Sequence, residues 1–201
     1  MGISYGAMTA PVRTGAERAT LVRRTYLLVL AGVVTTVLGC AFAMSQPGLM
    51  GLVARHPILT FLATLAPLMG AQLFRRQFPL NIGLTLVFTL IEGVWISPLV
   101  YVMEQQQPGV ASQAALLTLS TFGVLTAYAF VSRRDFSAWG SFFVVGLWVL
   151  IGTSLLNLFF QNQTASLWIA GATVLVFSGM LVYDTWRLRN QYGPEDYVIA
   201  A

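Results

Sequence analysis

The sequence predicts an all-α integral membrane protein, with six transmembrane helices packed in one bundle. Three observations lead there. Hydrophobic residues make up 57% of the 201 positions, charged residues only 9%, and the mean hydropathy is +0.74. A soluble domain carries roughly 25% charged residues to keep its surface hydrated. The 11 basic and 7 acidic side chains of this chain cannot do so, and most of its outer surface must face the lipid bilayer. The apolar residues also gather into six runs, each close to the roughly 20 that a helix needs to cross a ~30 Å hydrocarbon layer. Almost all charges fall between these runs. A water-soluble enzyme, a secreted disulfide scaffold (Cys40 is the one cysteine) and a disordered tail are excluded.

The first predicted helix runs over Tyr26–Gln46 and ends before Pro47. The second, Pro57–Phe74, is bounded by Arg55 and Arg75, and the third, Leu80–Met103, is interrupted only by Glu92. The fourth, Ser112–Val131, stops before Arg133 and Arg134. No residue between Phe136 and Tyr183 is charged, a stretch long enough for two spans, Ala138–Phe160 and Ala165–Trp186. The polar run Gln161, Asn162, Gln163, Thr164 marks the turn between them. The organisation is thus a short N-terminal segment, residues 1–24, and a single transmembrane domain, residues 25–201. Loops this short leave no room for a soluble domain.

All 11 basic residues are arginine, and the formal net charge is +4. In a soluble chain that would suggest nucleic acid; here the arginines sit between spans, and topology explains them. Arg13, Arg18, Arg23 and Arg24 precede the first helix, Arg75 and Arg76 follow the second, Arg133 and Arg134 the fourth, Arg187 and Arg189 the sixth. All of these share one side, with Arg55 alone on the other. The positive-inside rule places that side, and both chain ends, in the cytoplasm. Val37-Leu38-Gly39-Cys40 and Ala41-Phe42-Ala43 have the look of lipoprotein and signal-cleavage sites. Leu38 is bulky where a small residue is usual, however, and the uncharged run continues to Ala54, which suits a retained helix.

Two acids fall inside predicted helices, where ionisable groups are costly and usually functional. Glu92 lies roughly 18 Å along its helix from Leu80, near the midplane. A carboxylate there must be protonated, paired or facing water, so Glu92 is read either as a pore or cavity acid or as a buried acid bonded to a neighbouring helix. Gly93 lacks a side chain, and Pro98 cannot donate to the Val94 carbonyl, so Glu92–Pro98 is expected to be a bent or opened stretch. Asp184 stands in the last turn of the sixth predicted helix, three residues before Arg187. The helix dipole disfavours negative charge at that end and Arg187 favours it. Asp184 is therefore either a charge easily tipped by pH or an interfacial ion pair marking the helix end. Asn157 is expected deep in the fifth helix as an interhelical hydrogen-bonding residue, and Ala66, Gly70, Gly171, Ser178 and Gly179 are expected as packing positions.

No catalytic scheme is furnished. The one histidine, His56, lies in a loop, so a Ser–His pair within a span is absent. No cluster has metal-ligand spacing, and no glycine loop cradles phosphate. An aspartyl dyad would need a second intramembrane Asp, while Asp135 belongs to the basic loop. No cofactor is called for.

An ordered series of landmarks resembles the transmembrane Bax inhibitor motif family, in its bacterial branch. The series runs from Arg24-Thr25-Tyr26 through Glu92-Gly93 with Ile96-Ser97-Pro98, Ser132-Arg133-Arg134-Asp135-Phe136-Ser137 with Gly140, Asn157 with Phe159, and Tyr183-Asp184-Thr185, to Glu195-Asp196-Tyr197. The resemblance implies a compact bundle, seven helices in the bacterial prototype, acting as a pH-sensitive calcium leak in which Ca2+ is the permeant ion. It implies that Asp184 is one half of a proton-sharing aspartate pair and that Arg75 exchanges as its partner. It equally permits a membrane regulator that binds a quality-control protease or other membrane proteins and conducts nothing. The family continues beyond the position of Ala201 into a last helix carrying the second aspartate, and this sequence is expected to be truncated before it.

Overall fold

The computed structural model describes residues 15–75, 77–132, 134–192 and 196–201. The landmarks Arg13, Arg76, Arg133 and Glu195 lie outside them. The described residues hold helices and no strand: α1 (Gly15–Met44), α2 (Pro47–Arg55), α3 (Pro57–Leu73), α4 (Leu80–Gln106), α5 (Val110–Val131), α6 (Trp139–Phe160), α7 (Gln163–Asn190) and the single turn α8 (Tyr197–Ala200). Five of these, α1 and α4 to α7, are each long and apolar enough to cross a membrane, and α2 with α3 makes a sixth crossing if that bent pair is one span. The all-α membrane bundle is therefore as the composition predicts. Its outward faces are apolar: Val131 and Phe159 are each 82% exposed, an arrangement only lipid can solvate.

The element boundaries depart from the sequence expectation in four places. α1 begins at Gly15, well before the predicted span, because Ala16–Leu21 are good helix formers with Glu17 in the first turn. Leu21 and Thr25 on that extension are buried. Residues 47–55, expected as loop, fold into α2. Pro47 and Pro57 each open a helix, where the missing N–H would have been unpaired anyway, and the two axes bend by 100° about His56. α4 reaches Gln106, which brings a further acid, Glu104, into a helix. Its carboxylate accepts the backbone N–H of Gly109 (2.6 Å) and of Ala111 (3.3 Å), and so fixes the α4–α5 turn. Finally, α7 continues to Asn190, so Asp184 is not in the last turn but six residues before the helix end.

Of the bent or opened stretch expected over Glu92–Pro98, the opening is absent: α4 is an uninterrupted α-helix through both Gly93 and Pro98. The carbonyl that Pro98 leaves without a donor is Val94 O, and the hydroxyl of the buried Ser97 donates to it at 2.8 Å. A side chain on the same turn thus supplies the hydrogen bond that the backbone cannot.

The bundle has two halves. In one, α4 packs against α1 on one side and α3 on the other, with α2 across one end; in the other, α7 packs against α5 and α6. Tyr26 of α1 joins them. Its ring meets Phe122 and Phe130 of α5 (centroids 5.9 and 6.2 Å), and its hydroxyl reaches Thr126 Oγ1 at 3.4 Å.

Candidate functional site

The first site is built where α1 crosses α4. A Cβ on Gly93 would collide with the carbonyl of Thr36, and one on Gly39 with the carbonyl of Leu90. The two glycines therefore let the backbones touch. This is what Gly93 does: it is a packing notch, not a break. Beside the crossing runs a polar seam. Thr35 and Thr89 share a hydrogen bond of 2.6 Å between hydroxyls, and the Thr36 hydroxyl donates to the Thr89 carbonyl at 3.1 Å. Thr35 and Thr36 also donate to carbonyls of their own helix, so this seam is satisfied without water.

A cleft of about 360 Å3 opens next to it, lined in part by Gly32, Thr36, Thr85, Thr89 and Glu92. Glu92 is one turn past Thr89 and half-buried, with no hydrogen bond or ion pair among the described residues. Below it, at the arginine-rich end, a second cleft of about 550 Å3 shares Leu28 with the first and is lined by Arg24, Ala31, Ile82 and Tyr197. Arg24 stacks over Tyr197 at 5.7 Å. The two clefts adjoin at Leu28 along α1 and α4, and Ala201, the last residue of the sequence, lines the one that holds Glu92.

The second site lies on α7. Asp184 Oδ1 is 3.8 Å from Arg187 Nη1, one turn on, and the Asp184 side chain is 56% exposed. Arg187 is held from three directions: its guanidinium lies over the rings of Tyr183 (5.6 Å) and Tyr192 (5.1 Å), and its Nε donates to Gln191 Oε1 at 3.2 Å. Tyr183 stacks on Trp186. Burial pushes the Tyr192 phenol above its ordinary value, with Arg187 pulling the other way. Tyr183 packs so closely on α6 that a Cβ on Gly140 would come within 2.5 Å of its hydroxyl, and a Cβ on Gly179 within 2.6 Å of the Phe143 ring. Two glycines, one per helix, thus receive two aromatic rings.

Not all the predicted residues meet. Arg75 lies just past α3, exposed, and forms no ion pair with Asp184; its carbonyl is held instead by the Nδ2 of the buried Asn81 at 2.8 Å. The reason is reach: Arg187 is one turn from Asp184, whereas Arg75 belongs to the other half. Glu92 and Asp184 also belong to different halves. Asn157 sits in the last turn of α6, not deep within it, and ties that helix to α7 by donating to Ser166 Oγ at 2.7 Å. Gly171 faces open space and is no packing position.

The sequence reading missed two residues. Gly39 stands out in the sequence only as part of Val37-Leu38-Gly39-Cys40, which gives no sign of a helix crossing. Arg189, read as a topology marker, donates through Nη1 to the carbonyls of Ala129 (3.3 Å), Phe130 (2.7 Å) and Ser132 (3.3 Å), closing the end of α5.

The sequence profile described as "Inhibitor of apoptosis-promoting Bax1" matches residues 18–201. The chain belongs to the Bax inhibitor family. It is 33% identical to the mouse protein lifeguard 4 over 201 residues, covering 98% of this chain and 83% of that one. It is 31% identical to Bax inhibitor 1 of Schizosaccharomyces pombe over 200 residues, 96% of this chain and 74% of the relative. A vaccinia virus protein named Golgi anti-apoptotic protein is 39% identical over 129 residues, 64% of this chain and 53% of the viral one. Bacterial relatives include a Campylobacter jejuni protein, 29% identical over 182 residues, 88% of this chain and 78% of that one. No solved structure matches the chain significantly.

Proposed function

We propose that this Bax inhibitor family member is a cation leak, with calcium as the permeant ion, whose flux is set by protonation of Asp184. The observation that supports this reading is Glu92: a carboxylate near the middle of a span, with no hydrogen bond or ion pair among the described residues, facing a cleft that adjoins a second one at the arginine-rich end. An acid in that position is expensive to keep unless water or a cation visits it. In this reading Glu92 is the cation's resting point, the crossing at Gly39 and Gly93 is the constriction, and Asp184 is the sensor. Protonating Asp184 removes one half of its pair with Arg187 and leaves the arginine to its aromatic contacts, which changes how α7 is held at that end. The arginine-rich face is cytoplasmic in a bacterial inner membrane. The test is calcium flux into proteoliposomes from pH 5 to 8. The parent is expected to leak with a pH dependence that Asp184→Asn abolishes, while Glu92→Gln lowers flux at every pH. Absence of flux above empty liposomes, from folded protein, would overturn the reading.

A second reading is favoured by the relatives' names, which speak of inhibition and of anti-apoptotic action and not of transport. In it the chain is a non-conducting regulator that binds another membrane protein, such as a quality-control protease, through an exposed helix face. The flux measurement separates the two.

A further inference from the structure

We propose that the polar pocket between the end of α5, the α5–α6 loop and the last turns of α7 binds the phosphate of a phospholipid whose headgroup also carries a hydrogen-bond donor, as glycerol and ethanolamine do. The pocket holds about 280 Å3 and is lined by Ser132, Arg134, Asp135, Trp186, Arg189 and Asn190. Five of these six are polar, in contrast to the mostly aliphatic clefts along α1 and α4.

Depth points to lipid. α5 has 22 residues, about 33 Å at 1.5 Å each, so its last carbonyls stand at the edge of a ~30 Å hydrocarbon layer. Arg189 is bonded to those carbonyls, which sets its guanidinium at headgroup level. Trp186 lines the same pocket and Trp139 opens α6 nearby, the residue type that prefers this interface.

Charge then selects the ligand. Nη1 of Arg189 serves three carbonyls, while its other N–H groups have no acceptor among the described residues. The Arg134 guanidinium is exposed and in no ion pair there; only its backbone N–H is engaged, by Ser132 Oγ at 3.3 Å. Two guanidinium groups at a polar mouth suit a phosphate. Asp135 adds the second requirement. Its Oδ1 accepts from the Ser137 backbone N–H at 2.8 Å, and its other oxygen has no partner among the described residues. A carboxylate beside two arginines disfavours a bare multivalent anion but accepts a hydrogen bond from a hydroxyl or ammonium attached to the phosphate. Choline, with no donor, satisfies only the arginines.

The experiment is native mass spectrometry of the intact detergent-purified protein with phosphatidylglycerol, phosphatidylethanolamine and phosphatidylcholine of equal chain length. The parent is expected to retain the first two over the third. Arg134→Gln, an exposed substitution whose unchanged thermal midpoint shows that it folds, is expected to lower retention of all three by roughly tenfold. Asp135→Ala is expected to keep binding but lose the preference against phosphatidylcholine. Equal retention by the parent and Arg134→Gln would overturn the site. Displacement of bound lipid by an equal concentration of glycerol phosphate would assign the pocket to a soluble phosphate ester and overturn the lipid.

Discussion

The two halves of the bundle reach close packing by opposite means. Where α1 meets α4, side chains are removed: Gly39 and Gly93 let backbone lie on backbone, and threonine hydroxyls hydrogen-bond across the seam. Where α6 meets α7, rings are added, and Gly140 and Gly179 serve as notches for Tyr183 and Phe143. Lipid tails are as apolar as leucine, so neither half gains much from hydrophobicity itself; both depend on van der Waals fit and on polar contacts between helices. The difference is in compliance. A carbonyl cannot step aside for a new methyl group, whereas a ring can turn. The first half should therefore be the rigid one and the second the adjustable one.

That contrast can be broken most directly at Gly93. Gly93→Leu is expected to cost about 3 kcal/mol, the upper end for overpacking because backbone must move, read as a lowered midpoint of thermal unfolding in detergent. Gly171→Leu, on a surface that meets nothing, should stay within about 0.5 kcal/mol of the parent; equal losses at both positions would erase the distinction. Next in size is Arg189→Met, which leaves three carbonyls at the end of α5 without their donor. A loss of about 2 kcal/mol is expected, together with faster proteolytic cleavage of the α5–α6 loop. Gly140→Ala tests compliance in the second half: about 1 kcal/mol, with a change in tryptophan fluorescence as Tyr183 turns on Trp186. A loss as large as that of Gly93→Leu would show this half to be no softer than the first. The smallest effect is expected for Thr35→Val, about 0.6 kcal/mol for one hydroxyl bond between membrane helices, measured in a double-mutant cycle with Thr89→Val.

The spans were legible in the sequence because a bilayer tests only length and apolarity, which neighbouring residues carry by themselves. α2 was not legible: Pro47–Arg55 is too short to register as a span, and its proline and glycines read as turn. An opening over Glu92–Pro98 does not form: the rule for proline counts the lost N–H and ignores Ser97, whose hydroxyl replaces it. Of the candidate site, Glu92 and Asp184 stood out as acids within apolar runs. Their surroundings did not. That Gly39 faces Leu90, or that Arg187 and not Arg75 reaches Asp184, depends on how separate helices are set against each other, and no stretch of sequence contains that information. Arg189 shows the same limit, since its count as a positive charge hid its hydrogen bonds.

The tie between α6 and α7 bears on how this chain enters a membrane. Asn157 bonds Ser166 and receives the N–H of Asn162, while the Asn162 side chain accepts from the Ala165 N–H. Two of the four amide side chains at this end of the hairpin, those of Asn157 and Asn162, thus find partners within ten residues of chain. A tip with these two amides already paired can cross the hydrocarbon layer at lower cost than one with all four stripped of water unpaired. The two helices carry no charge between Phe136 and Tyr183 to halt them. They are suited to insert together as a preformed hairpin, with the arginines beyond each end left on the side where synthesis began.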